Sequence, residues 1–257
     1  MQYHLNGYSS GDPNSFQTDS QRPEPKELPE EVDVLIIGCG PAGLTLAAQL
    51  AQFSEIKTCI IDKKPGPLKI GQADGIACRT VEMFEAFGFS EKVLKESYWV
   101  NETTFWKPKI GESIGITRSS KIRDTEEGLS EYPHVILNQA RVHDFYLEMM
   151  YNGASQVVPF YEQELLDLKI DRSKDLPVTV ILKSTDTRTP ASHKNVRARF
   201  VVGCDGARSS VRKSLGRELY GDSANKAWGV MDVLATTNFP DIRLKSCLLY
   251  TSPSPRD

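Results

Sequence analysis

The sequence predicts an α/β fold built around a β-α-β unit with parallel strands. Three observations carry this expectation: the β-branched run Val32–Ile37, a glycine-rich turn directly behind it, and an Ala/Leu-rich segment leading to a second apolar run at Lys57–Asp62. A short Val/Ile run without polar alternation reads as a strand buried on both faces, as in a parallel sheet. The segment from Pro41 to Phe53 reads as the helix, with Pro41 at the first helical position, where its missing N–H would be unpaired anyway. The unit closes in roughly 30 residues, the size of a β-α-β crossover.

The turn itself, Gly38-Cys39-Gly40-Pro41-Ala42-Gly43, fits G-x-G-x-x-G. In this strand–turn–helix setting the first glycine makes the tight bend and the second lets the backbone approach a pyrophosphate. The third permits close packing of helix on strand, and the helix start offers free N–H groups to phosphate. Asp62 closes the second strand about 20 residues on, where a carboxylate accepts hydrogen bonds from a ribose. An acid there disfavours a 2′-phosphate, but nothing in the turn separates FAD from NAD. Lys63 stands beside Asp62 and is grouped with it as a cofactor-binding residue.

Beyond this unit, Arg79–Phe87 has helical spacing at Val81, Phe84 and Phe87. Between Glu96 and Leu129 turn residues and charges separate short strands. His134–Leu137 reads as a strand and Ala140–Met150 as a helix. Val178–Leu182 and Ala198–Val202 read as strands, with the polar stretch Ser184–Asn195 as a hairpin loop or surface excursion. Residues 1–30, rich in Ser, Pro, Gln and Glu, are expected to be a disordered arm. The ending Tyr250-Thr-Ser-Pro-Ser-Pro-Arg-Asp257 holds no core element, so 247–257 is expected to be a doubtful tail on a C-terminally incomplete fold.

Composition narrows the function classes. A net charge of −3 gives no basic footprint for nucleic acid. No apolar run approaches a membrane span, and the N-terminus lacks a secretory signal, so the expectation is a cytoplasmic protein with no membrane partner. The cysteines (Cys39, Cys59, Cys78, Cys204 and Cys247) are odd in number and lack metal-type spacing, so no metal site is expected.

Three further segments carry a resemblance. Gly71-Gln72-Ala73-Asp74-Gly75-Ile76, followed by Arg79–Phe84, resembles the phenol hydroxylase branch of the FAD-dependent aromatic hydroxylases. Gly203-Cys204-Asp205-Gly206-Ala207-Arg208-Ser209-Ser210-Val211-Arg212 is similar to that superfamily's Asp-Gly motif. Pro133–Arg141 is similar to the stretch that brings a glutamine to the flavin. The resemblance implies a Rossmann-type FAD-binding domain (31–95 and 130–225) with an inserted β-sheet substrate domain (96–129 and 226–246 belonging to it). It implies FAD as cofactor and NAD(P)H as co-substrate, with O2 and a small aromatic substrate, a phenol or hydroxybenzoate, as reactants. It leaves room for a homodimer of a full-length parent. An NAD-dependent dehydrogenase, another flavin oxidoreductase and an inactive FAD-binding piece are the rival readings.

The same resemblance assigns roles. Asp74, in a Gly-flanked loop, is the candidate base that draws the phenolic proton, though Asp between glycines is also a common turn-former. Gln72, Arg79, Gln139, Arg141 and Asp205 are cofactor-binding candidates, with the turn glycines Gly38, Gly40 and Gly43, Pro41, Ala42 and Asp62. Arg79 could instead be an exposed helix-start residue, and Gln139 or Arg141 could cap the following helix. His134 and Lys245 are substrate-binding candidates, because a buried carboxylate needs a cation or several donors. A lone histidine near a strand is more often structural, and most lysines are solvated.

Overall fold

A computed structural model of the chain describes residues 3–4, 7–8, 27–71, 73–111, 115–186, 193–222, 224, 227, 229–231 and 233–248. Most of the expected N-terminal arm, Gln72, and the expected tail beyond Leu248 lie outside these described residues. The chain divides into two compact units: residues 1–73 with 138–221, and residues 74–137 with 222–257.

In chain order the first unit begins with β1 (Tyr3–His4), β2 (Gly7–Tyr8), β3 (Glu31–Ile37), α1 (Pro41–Leu50) and β4 (Thr58–Ile61). The second unit follows with β5 (Gly75–Ile76), α2 (Cys78–Ala86), α3 (Ser90–Glu96), β6 (Tyr98–Val100), β7 (Glu102–Pro108), β8 (Ile116–Arg123) and β9 (His134–Ile136). The chain then returns to the first with α4 (Gln139–Asn152), β10 (Gln163–Ile170), β11 (Val178–Ser184), β12 (His193–Gly203) and α5 (Ser210–Ser214). The last described strand, β13 (Lys245–Leu248), belongs to the second unit.

The first unit is built on a five-stranded sheet in the order β10-β11-β12-β3-β4. β12, β3 and β4 run parallel, while β10, β11 and β12 form an antiparallel meander. One face of this sheet holds Leu35, Ile37, Cys59, Ile61, Val180, Leu182, Val196 and Ala198, all buried. Ile36 and Ile60 are fully buried as well, as a both-faces-covered parallel strand requires. The first helix stops at Leu50, three residues before the expected Phe53. The Ala51 carbonyl accepts the Ser155 N–H at 2.9 Å and the Phe53 carbonyl accepts the Ser155 hydroxyl at 2.6 Å, so the following residues are held as a turn. Gly153, just past α4, makes this approach practicable: a Cβ there would lie 2.6 Å from the Ala51 carbonyl oxygen.

Two small sheets build the second unit, in the orders β5-β9-β6 and β13-β7-β8. Residues 74–95 and 130–137, expected with the FAD-binding part, fall here because β9 pairs with both β5 and β6. Cys247 and Leu248, expected in a tail without a core element, pair instead in parallel with Phe105 and Trp106. Buried Trp106 donates its indole N–H to Asp241 at 3.0 Å, and the Arg118 guanidinium grips the same carboxylate at 2.9 and 2.6 Å. That clamp ties the turn ahead of β13 to the sheet, and Phe239 tilts against the Trp106 ring with 4.9 Å between centroids.

His143, on α4, is 4% exposed, and its Nε2 finds no hydrogen-bond partner among the described residues. Burial, aided by the Lys64 charge and opposed by Asp62, pushes its pKa down to about 4 from 6.5. The unfolded chain therefore binds a proton here that the folded chain refuses. Folding carries no proton penalty here above pH 6.5, and stability falls as pH drops towards about 4, by on the order of 3 kcal/mol in all. Urea midpoints measured across this window should fall with pH in the wild type and stay nearly flat in His143→Leu; parallel curves would contradict the assignment.

Candidate functional site

The site in the first unit grows from the hand-over between β3 and α1. Gly38 adopts φ +109°, a conformation that only glycine holds without strain, and a Cβ on it would lie 2.4 Å from the Cys204 carbonyl oxygen. Gly43 is more crowded still, since its Cβ would sit 1.9 Å from the Gly38 carbonyl oxygen. Gly40 differs from both. Its nearest neighbour would be the Cys204 oxygen at 4.0 Å, so a side chain there would project into open space instead of meeting protein. Gly40 is the N-cap of α1, with no side-chain cap and no acid in the first turn, and Pro41 and Ala42 are exposed. The helix start thus presents uncapped N–H groups and positive potential.

Asp62 borders this space. One carboxylate oxygen accepts the Cys39 N–H at 2.7 Å and the other the Lys64 N–H at 2.9 Å. Its own N–H donates to the Phe160 carbonyl, and its carbonyl accepts the Gln163 N–H, each at 2.9 Å. The opposite rim is the Gly203–Arg212 loop. Asp205 accepts the Ser209 hydroxyl at 2.5 Å and the Ser210 and Val211 N–H groups at 2.6 and 3.1 Å. Both of its oxygens are therefore engaged in shaping the rim and the start of α5.

Between these rims lies a cleft of about 220 Å³. That is less than the roughly 300–1,000 Å³ of a complete small-molecule pocket, so it accommodates part of a dinucleotide. Its walls bring together the expected Gly38, Gly40, Asp62, Lys63 and Asp205 with residues the sequence did not single out as ligands: Lys64, Arg208 and the β10 residues Gln163 and Glu164. Lys63, Lys64 and Arg208 supply cations suited to phosphate. Arg208 stood within the quoted Asp-Gly motif, whereas β10 carried no local signal. The residues present fit a flavin dinucleotide: bare amides, a gap that a side chain at Gly40 would fill, an acid at ribose distance along the chain, and flanking cations.

Other expected cofactor residues are placed differently. Arg141 is buried, 3.6 Å from the Asp144 carboxylate and stacked over the Phe145 ring at 4.3 Å. Gln139 opens α4, but the cap is Asn138, whose side chain accepts the Ala140 N–H at 2.9 Å. In the second unit, Arg79 is 91% exposed and 3.5 Å from Glu82. Asp74 precedes β5, and its carbonyl accepts the Leu137 N–H at 2.9 Å.

The second unit also joins His134 and Lys245, through a residue that the sequence left unmarked. The Asp124 carboxylate lies 2.6 Å from His134 Nδ1 and accepts the Lys245 ammonium and the Thr103 hydroxyl, both at 2.8 Å. Burial alone would raise the Asp124 pKa, but the hydrogen bonds from Lys245, Thr103 and His134 outweigh it and hold the carboxyl at about 2. The cluster is thus a carboxylate with its cation and imidazole already in place.

Comparison with known proteins gives the class first. A model of the FAD binding domain matches residues 31–256, and the chain belongs to that family. Among curated relatives, it is 58% identical to 3-hydroxybenzoate 4-monooxygenase of Comamonas testosteroni over 95% of this chain and 39% of that protein. It is 40% identical to an FAD-dependent monooxygenase of Aspergillus terreus, over 87% of this chain and 36% of that one. Among solved structures, a flavin-dependent monooxygenase in complex with FAD and substrate superposes with a TM-score of 0.62 at 25% identity, covering 75% of this chain and 33% of that one. The chain therefore spans less than two-fifths of the length of these relatives.

The glycine contacts make one mutational outcome definite. Gly43→Ala forces its new methyl group into the Gly38 carbonyl, so the loop must shift and the chain should lose about 3 kcal/mol of stability. Denaturant unfolding checks this; an unchanged midpoint would show that the approach of Gly43 to Gly38 is not as tight as described.

Proposed function

We propose that this chain binds FAD and provides the flavin site of an aromatic-ring monooxygenase that hydroxylates a phenol or hydroxybenzoate with NAD(P)H and O2. The observation that carries the reading is the open gap at Gly40, set between uncapped helix amides and Asp62. The 58% identity to a hydroxybenzoate hydroxylase over nearly the whole chain supports the substrate class.

In this reading the amides of Ala42 and Gly43 bind the pyrophosphate, Lys63 and Arg208 neutralise it, and Asp62 orients the ribose. Gln139, at the start of α4, adds to the cofactor's surroundings, while Asp205 keeps the cleft's rim in shape. When bound, FAD supplies the redox chemistry, taking electrons from NAD(P)H and activating O2 for insertion into the ring. Asp74 accepts the phenolic proton, which makes the ring electron-rich and quicker to react with an electrophilic oxygen. Lys245 provides a cation for an anionic group on the substrate, and His134 lines the same pocket.

Gly40→Ala separates binding from folding, since among the described residues the added methyl meets no atom closer than 4.0 Å. Its unfolding midpoint should match the wild type, while FAD affinity, read by quenching of flavin fluorescence, weakens at least about tenfold. Equal affinity in the two proteins, or no flavin binding by the wild-type chain, overturns the proposal.

A further inference from the structure

The Asp124 cluster carries an inference about which hydrogen-bonding character the His134 ring presents. Asp124 Oδ1 is taken by the Lys245 ammonium and the Thr103 hydroxyl, so Oδ2 is left to face His134 Nδ1. An ionised carboxylate can only accept, hence the proton between the two groups sits on Nδ1. The contact is 2.6 Å long, and the side chains are 10% and 20% exposed, so water competes little for either partner. The far nitrogen points elsewhere: a Cβ built on Gly75 would lie 3.5 Å from His134 Nε2. Gly75 pairs with Ile136 across β5 and β9, so the strand pairing holds Nε2 against the Gly75 backbone.

We infer that Asp124 is a positioning residue that locks His134 in its Nδ1–H form and so presents Nε2, beside Gly75, as a hydrogen-bond acceptor. The consequence is a preference in what that nitrogen binds. A bare Nε2 welcomes a donor, such as a phenolic hydroxyl, and repels a carboxylate, which has no proton to give. Lys245, bound to Oδ1, also offsets the Asp124 charge, so no net negative cluster stands behind the imidazole. What that nitrogen binds in the protein's work rests on the hydroxylase reading, whereas the state of His134 does not.

The test is the ring-nitrogen spectrum of His134 in the full chain labelled with 15N. Only four histidines are present, and His134→Gln assigns the signal. At about pH 8, above the ordinary histidine range, the wild type should show Nδ1–H with Nε2 unprotonated, in at least about tenfold excess over the other tautomer. Asp124→Ala should abolish that excess, while Thr103→Val should leave it. A wild-type ring that carries its proton on Nε2, or on both nitrogens, overturns the inference, as does an excess unchanged in Asp124→Ala. Should Asp124→Ala fail to fold, the wild-type spectrum decides alone. Flavin quenching by the same samples reports separately on the FAD reading, so either claim can fail without the other.

Discussion

Everything at the flavin-family cleft depends on Asp62 being immovable. Four hydrogen bonds of 2.7 to 2.9 Å fix its backbone to the 160–163 segment and its carboxylate to the amides of Cys39 and Lys64. The bond to Cys39 matters most, because it joins the end of β4 to the bend after β3. A carboxylate that both braces the bend and faces the cleft sets the distance between the amides at the start of α1 and the acid that follows β4. Neither can drift without the other.

Steric closeness completes that constraint. Gly38 lies under the Cys204 carbonyl and Gly43 against Gly38, so the β3–α1 turn and the end of β12 form one packed layer. The Cys204 N–H donates to the Ile37 carbonyl at 2.7 Å, extending the β12–β3 ladder to the very edge of the cleft. Cys39 and Cys59 are buried in this layer as small apolar groups, and burial pushes the Cys59 thiol up to about 12. They contribute packing, not reactivity. With its protein side filled and its open side bare at Gly40, the turn is suited to hold a phosphate group without rearranging.

The parts of this arrangement legible in the sequence were those written locally. β3, the glycine turn, α1 and β4 announce themselves by composition within about 30 residues, and the Asp-Gly segment by its motif. β10 did not. A bulge between Leu165 and Asp167 breaks its alternation, so buried Leu165 and Leu168 stand three apart, and Glu, Leu and Lys favour a helix. β13 finds its partner β7 far back in the chain, as the Thr104–Ser246 contact across 142 positions shows, and no local pattern marks such a pairing. Asp124 was hidden for the same reason. In Arg123-Asp124-Thr125-Glu126-Glu127 it looks like one charge in a solvated run, and its role comes from Lys245, 121 positions away. His134 and Lys245 could be named from the resemblance, but the carboxylate that joins them could be found only in three dimensions.

The proposed phosphate-binding surface is the set of amides at the start of α1. Amide hydrogen exchange of the full chain, with and without FAD, tests it most directly. FAD should slow exchange at Ala42 and Gly43 and at the neighbouring Asp62–Lys64 amides, while the β7–β8 hairpin exchanges as before. Unaltered exchange at Ala42 and Gly43 under saturating FAD would contradict the account.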